Sequence, residues 1–343
     1  MKTTNTRLAA ALLTGALLTT TATACGSDGP AKAKAADGAE VAELKYQGSV
    51  GSVTPAELAE SLGYLGSIKL TWVGNTISGP QDIQSAATGQ TDFGGAFNGA
   101  IVKLVAARAP IKAVISYYGS DKETYSGYWT LDGSPIRSAR DLIGKKIGVN
   151  TLGAHAEAVI KTYLKNGGLS PEEIKKVELV VVPPVNTEQS LRQKQIDVGA
   201  LGGILRDKAQ ARGGVKLLFS DIQLLGDFNA GSYVLRQDFL RKNPVASRIF
   251  VTGVGKALDW ARTTPRGEVV AKLRDIITKR GRAEDTATIG FFKGFGVSSP
   301  GGAIADREFQ TWITWLENEG EIKPGQIKPA DVFTNEFQAA VAT

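Results

Sequence analysis

The chain of 343 residues contains one cysteine, one histidine and one methionine. A single cysteine excludes a disulfide within the chain, and with one histidine it excludes a histidine- or thiolate-based metal centre. No G-x-S-x-G occurs, and His155 would have to serve any histidine-dependent catalytic triad. Neither a P-loop nor a G-x-G-x-x-G with a downstream acidic residue is present, so no nucleotide cofactor is expected. Long apolar runs are scarce too: beyond the first segment nothing is long enough to cross a membrane. Charge of one sign is also modest, with 40 basic against 34 acidic residues. Setting aside Lys2 and Arg7 leaves about +4, too mild and scattered for nucleic acid but suited to a small anionic ligand.

What is present begins with a leader. Lys2 and Arg7 precede the apolar run Leu8 to Leu18, followed by Ala22-Thr23-Ala24-Cys25-Gly26. A basic start, a short apolar stretch and small residues before a cut describe an export signal. Cys25 after Ala-Thr-Ala resembles a lipobox, which implies a thiol lipidated at Cys25 and a protein anchored at the outer face of the cell membrane. Residues 1–25 are then the signal, and 26–40, rich in Ala, Gly, Asp and Lys, a flexible tether.

From Val41 the sequence alternates β-rich runs with helical stretches. Leu44 to Tyr46, Ile68 to Val73, Thr91 to Phe93 and Ile111 to Tyr118 form one set of predicted strands. Lys146 to Val149, Val177 to Val182, Asp197 to Ala200 and Val215 to Phe219 form a second. Thr54-Pro55-Ala56-Glu57 is a capping box with proline at the first helical position, and Ser78-Gly79-Pro80-Gln81 has the same form. The sets also repeat in sequence: Gln84, Gln90, Asp92 and Gly94 recur as Gln189, Gln195, Asp197 and Gly199, each 105 residues on. Two α/β lobes of like topology, with a cleft between them, are expected.

Several segments resemble the solute-binding proteins of ABC importers for aliphatic sulfonates, taurine and nitrate, with their thiamine-precursor-binding relatives. They are Leu44 to Ser49, Ser78 to Gln81, Thr88 to Gly94, and Gly133-Ser134-Pro135-Ile136 leading to Asp141-Leu142-Ile143-Gly144-Lys145-Lys146. The resemblance covers nearly all of the mature chain. It implies an α/β, periplasmic-binding-protein-like fold of type II, with a discontinuous first lobe (41–130 plus 231–343), a second lobe (131–230) and the ligand cleft between them. It also implies crossings through Tyr125 to Leu131 and Ser232 to Arg236, no covalent chemistry, a monomer, and an ABC permease with its ATPase as partners. A sulfonate-type anion is the expected ligand. The alternatives are nitrate, a pyrimidine or another heterocycle, a role as surface sensor, or a secreted enzyme.

The expected cleft residues sit in loops after strands or at helix starts: Ser49, Ser52, Thr54, Ser78, Phe97, Asn98, Tyr118, Thr151, Gly153, His155, Asn186 and Gly202. Helix starts offer unpaired N–H groups to an oxyanion. Where sulfonate binders often carry two indoles, this chain has Gly199, Gly202 and Gly203, so a wider cleft is expected. The ligand's tail would then lie against Phe97, Tyr118 and the space above Gly202. Trp260, Trp312 and Trp315 are read as packing residues of late amphipathic helices.

Overall fold

The computed structural model describes Asp37 to Gln338. Cys25, the leader and most of the expected tether lie outside the described residues. The folded body begins before Val41. Asp37 accepts from Ser67 N and Oγ, both at 2.8 Å, Ala39 is buried, and Glu40 accepts from the amides of Val245 and Ala246 at 3.1 and 2.9 Å. The last residues of the expected tether are therefore docked.

The first lobe opens with β1 (Glu43–Gly48), α1 (Pro55–Ser61), β2 (Lys69–Asn75), α2 (Gly79–Thr88), β3 (Phe93–Phe97), α3 (Asn98–Ala106) and β4 (Ile111–Ser120). The second contains β5 (Ser126–Leu131), β6 (Lys146–Val149), α4 (His155–Asn166), α5 (Pro171–Ile174), β7 (Glu178–Val181), α6 (Pro184–Arg192), β8 (Val198–Gly202), α7 (Gly203–Arg212), β9 (Val215–Ser220) and α8 (Asp221–Leu225). The chain returns through β10 (Phe228–Arg236) and ends in α9 (Gln237–Lys242), α10 (Pro244–Thr263), α11 (Arg266–Lys279), α12 (Asp306–Asn318) and α13 (Pro329–Val332).

The second sheet runs β7-β6-β8-β5-β9, with β5 antiparallel to both neighbours. In the first lobe β1 pairs with β2 in parallel, and β10 lies antiparallel between β3 and β4. Each lobe thus inserts, between its third and last parallel strand, a strand arriving from the other lobe. This corrects the expected crossings. Tyr128 and Trp129 are sheet residues of the second lobe and Ser232 to Arg236 sheet residues of the first, so the chain changes lobe earlier, at 121–125 and 226–227. A short β-rich run reads alike whether it crosses or pairs, which is why sequence placed the crossings within the strands.

The repeat has a structural counterpart. Asp92 Oδ2 accepts from Lys45 N at 2.7 Å while its own amide donates to Lys45 O, and Asp197 does the same to Lys146, at 2.9 Å. Gln90 N and Gln195 N each donate back to a helix serine, Ser85 O and Ser190 O. In both lobes this pair ties the second helix of the repeat to the first strand. Gly94 and Gly199 are packing requirements of the same kind: a Cβ would meet Asp82 O of α2 at 2.5 Å, or Thr187 Cγ2 of α6 at 3.0 Å. Gly199 therefore serves helix packing and not a wider cleft.

The first lobe's core joins α1, α10 and α11 to β1, with Phe93, Tyr233 and Phe250 in ring contact. Trp312 is buried beside α3, while Trp260 and Trp315 are partly buried against the two first-lobe clusters, in keeping with a packing role.

Candidate functional site

The parallel strands of both lobes end at a common seam, where loops and helix starts meet. Ser78, the N-cap of α2, directs its hydroxyl to Thr151 Oγ1 of the second lobe at 3.3 Å. Beside it Asn150 Nδ2 donates to Ile77 O at 2.9 Å. These bonds bring together two residues expected to share a ligand. Ala154, the N-cap of α4, makes no side-chain cap, and neither do Phe97 before α3, Pro183 before α6 or Gly202 before α7. The first-turn amides of these helices have no side-chain cap of their own to accept from them.

His155 takes a different place from the one expected. Its ring stacks on Phe97 at 5.4 Å, meets Phe228 edge-on at 5.7 Å and lies 6.3 Å from Tyr118. Nε2 approaches Asp221 Oδ2 to 3.3 Å, within ion-pair distance but without the alignment of a hydrogen bond. Asp221 is fully buried and otherwise filled, accepting from Ser120 Oγ at 2.6 Å and from Ser126 N at 3.0 Å. The imidazole is a plug from the second lobe in an aromatic box of the first. Tyr118 belongs to that box: its ring fills the space a Cβ at Gly231 would need, and burial pushes its phenol up. Phe97 is covered by His155 and by Trp312 at 4.4 Å. The free volume between Phe97, Lys103, Gly153 and Trp315 is about 10 Å³, room for at most one water. The ligand tail expected against Phe97 has no space on this side of the ring.

Asn98 is also placed differently. It is fully buried in the first lobe, donating to Asn229 O at 3.2 Å and accepting from Ser232 Oγ at 2.8 Å, so it orders β10 and does not reach the cleft. Thr54 caps α1 within its capping box. Ser49 and Ser52 are half-exposed in the same loop, which Arg280 and Glu284 pin by bonds to Ser49 O and from Gly51 N. Gly153 adopts φ 68° and donates to Glu157. Asn186 stands exposed on the first turn of α6. A Cβ at Gly202 would meet Ser126 Oγ at 2.9 Å, so a side chain there faces β5, and the open space lies at Gly203.

Sequence reasoning missed an ionic cluster between β1, α1 and the segment after α11. Glu57 Oε1 accepts from Tyr46 OH at 2.6 Å, Arg280 at 3.1 Å and Arg282 at 3.2 Å, and Arg280 also pairs with Glu284. Arg282 lies 4.3 Å from the Trp72 ring, in space that a Cβ at Gly48 would close. No local signal marks Arg280 or Arg282, which come from beyond α11, more than 220 residues after Glu57. Asp82, on the first turn of α2, was also missed. One oxygen accepts from Gly95 N at 2.7 Å, the other has no partner, and burial pushes the carboxyl up to about 7.

Residues 54–268, more than half of the chain, match the NMT1/THI5-like family model. The chain belongs to the NMT1/THI5-like family. Among relatives, a protein of Brucella abortus described as a binding protein is 24% identical over 194 residues, covering 56% of this chain and 57% of the relative. The 4-amino-5-hydroxymethyl-2-methylpyrimidine phosphate synthase of Saccharomyces cerevisiae is 27% identical over 225 residues, covering 62% and 64%. The chain thus aligns with less than two thirds of the length of these curated relatives. The crystal structure of the periplasmic aliphatic sulphonate binding protein of Escherichia coli superposes with a TM-score of 0.62 at 20% identity, over 85% of this chain and 91% of that one. This NMT1/THI5-like chain has the two-lobed α/β fold expected from its sequence, with the first lobe discontinuous in the strand order.

Proposed function

We propose that the protein is an extracytoplasmic solute-binding lipoprotein, anchored through Cys25, that captures a small organic anion of sulfonate type and delivers it to an ABC permease with its ATPase. The observation that carries this reading is the facing of Ser78 and Thr151 across the seam at 3.3 Å, at the starts of helices from opposite lobes. Hydroxyls and uncapped first-turn amides suit an oxyanion headgroup without a buried lysine. The guanidinium groups of Arg280 and Arg282 are already matched by Glu57 and Glu284.

The arrangement argues against hydrolysis. Ser120 donates to Asp221, the carboxylate beside His155, instead of standing at the imidazole, so these three residues do not form a nucleophile–base–acid relay. The yeast synthase among the relatives favours a pyrimidine as the second ligand reading.

A thermal-shift panel of sulfonates, nitrate, pyrimidines and aromatic acids tests the reading. A ligand present at about 100 times its Kd raises stability by ~2.7 kcal/mol. Sulfonates should give the largest rise. A rise with pyrimidines alone would replace the anion reading, and no rise with any compound would remove the solute-binding reading. Cys25→Ala should release the protein from membranes, and retention at the wild-type level would remove the anchor.

A further inference from the structure

The chain passes between the lobes twice, at 121–125 and 226–227, and the two passages are built differently. The first is tied down. Asp121 Oδ1 accepts from the amides of Glu123 and Thr124 at 2.8 and 2.6 Å, which folds the segment into a turn. Arg206 of α7, 1% exposed, donates to Glu123 O at 2.7 Å and to Tyr125 O at 3.1 Å, and its guanidinium lies 3.9 Å from the Tyr125 ring. Its Nε and Nη2 also donate to Asp207 at 2.9 and 2.6 Å. Asp221 holds both flanks, through Ser120 and Ser126. A planar guanidinium bonded to two carbonyls and a carboxylate, and stacked on a ring, fixes the segment to α7.

The second passage is two exposed residues, Gly226 and Asp227. Gly226 takes φ 71°, with nothing within 4 Å of where a Cβ would stand.

The helix that grips the first passage also meets the first lobe. Lys293 Nζ approaches Asp207 Oδ1 to 3.3 Å, with the side chains 34% and 6% exposed. Lys293 follows Phe292, buried in a first-lobe core cluster, and Phe295 O of the same segment accepts from Gly119 N of β4 at 3.0 Å. Ile204, two residues before Arg206, packs against the same cluster. The Asp207 carboxylate therefore couples the guanidinium that grips one crossing to a cation of the other lobe.

We propose that Gly226–Asp227 is the flexible link of the hinge, that 121–125 moves as part of the second lobe and bends only at its Ser120 junction, and that Asp207–Lys293 is an ionic latch which opening must break. The latch favours the arrangement in which Ser78 faces Thr151. It acts in the empty protein and does not depend on the class of solute, so it goes beyond the solute-binding reading.

Pulsed dipolar spectroscopy tests this on the ligand-free chain carrying Cys25→Ala, with spin labels at Gln84→Cys and Gln189→Cys, exposed and repeat-equivalent positions of the two lobes. Lys293→Met should raise the ratio of longer to shorter distances about fivefold at low salt. High salt should move the wild type toward the variant, and Lys293→Arg should restore the original distribution. Gly226→Ala, whose side chain has room but whose φ is disfavoured, should also shift it. A distribution that neither Lys293→Met nor salt changes overturns the latch. An equal shift with Lys293→Arg overturns the role of charge. A shift with Lys293→Met and none with Gly226→Ala overturns the placement of the hinge.

Discussion

The two ends of the seam between the lobes are built from opposite materials. At one end α4 is locked onto the first lobe: Ala158 sits in a first-lobe core cluster, Phe97 covers His155, Lys161 and Lys165 reach Glu319, and Lys103 pairs with Glu321 at 2.6 Å. At the other end, between β2 and β7, the described contacts are few and the side chains are apolar and exposed. The first end spends its apolar surface on the fold and the second leaves it available. A two-lobed protein with such a seam is held at one edge and exposed at the other, the arrangement that the proposed capture of a solute requires.

Truncation at the two ends should separate them most clearly. Phe97→Ala removes a buried ring shared by His155 and Trp312 and should cost about 3–5 kcal/mol in urea unfolding. Trp72→Ala removes a 41% exposed ring that lies 4.3 Å from Arg282, and should cost less, on the order of 1 kcal/mol. Equal losses would erase the distinction between a structural and a functional edge.

A smaller effect is expected between the two ends, under α2. The Asp82 carboxyl is held at about 7 in the fold by burial, against ~3.9 in the unfolded chain. The folded state therefore binds the extra proton between those values. The stability this gives is complete below about pH 4 and lost as pH rises through about 7. Asp82→Asn should stabilise the protein at pH 8, on the order of 2 kcal/mol, with little change at pH 4. A gain that does not depend on pH would show that the carboxyl does not titrate in this range.

The smallest effect belongs to the ion pairs by which Lys161 and Lys165 of α4 reach Glu319. Glu319→Gln should cost under ~1 kcal/mol at low ionic strength and less at high salt. A larger, salt-independent loss would make these pairs core elements and not half-buried, salt-screened contacts.

How far these features were legible in the sequence depends on how local their cause is. The capping boxes at Thr54 and Ser78 are read within four residues, and the repeat at Asp92 and Asp197 reports a turn that each lobe makes within a short segment. The direction of β5 and β10 is settled by strands far away in sequence, so the crossings were misplaced. His155 and Asn98 share this difficulty. A polar residue at a helix start looks the same from sequence whether it faces a ligand or, like Asn98, meets Ser232 and Asn229 from 131 or more residues away. Glycines at 199 and 202 similarly look like space until their neighbours are known, whereas Gly203 does open on space.

The central claim is that a solute binds in the seam where Ser78 faces Thr151, and an indole placed there tests it most directly. Titration of the alkanesulfonate that binds wild type most tightly against Thr151→Trp, with unfolding monitored in parallel, should show at least a hundredfold loss of affinity (~2.7 kcal/mol) with an unchanged melting temperature. Undiminished binding by a folded Thr151→Trp would contradict the account.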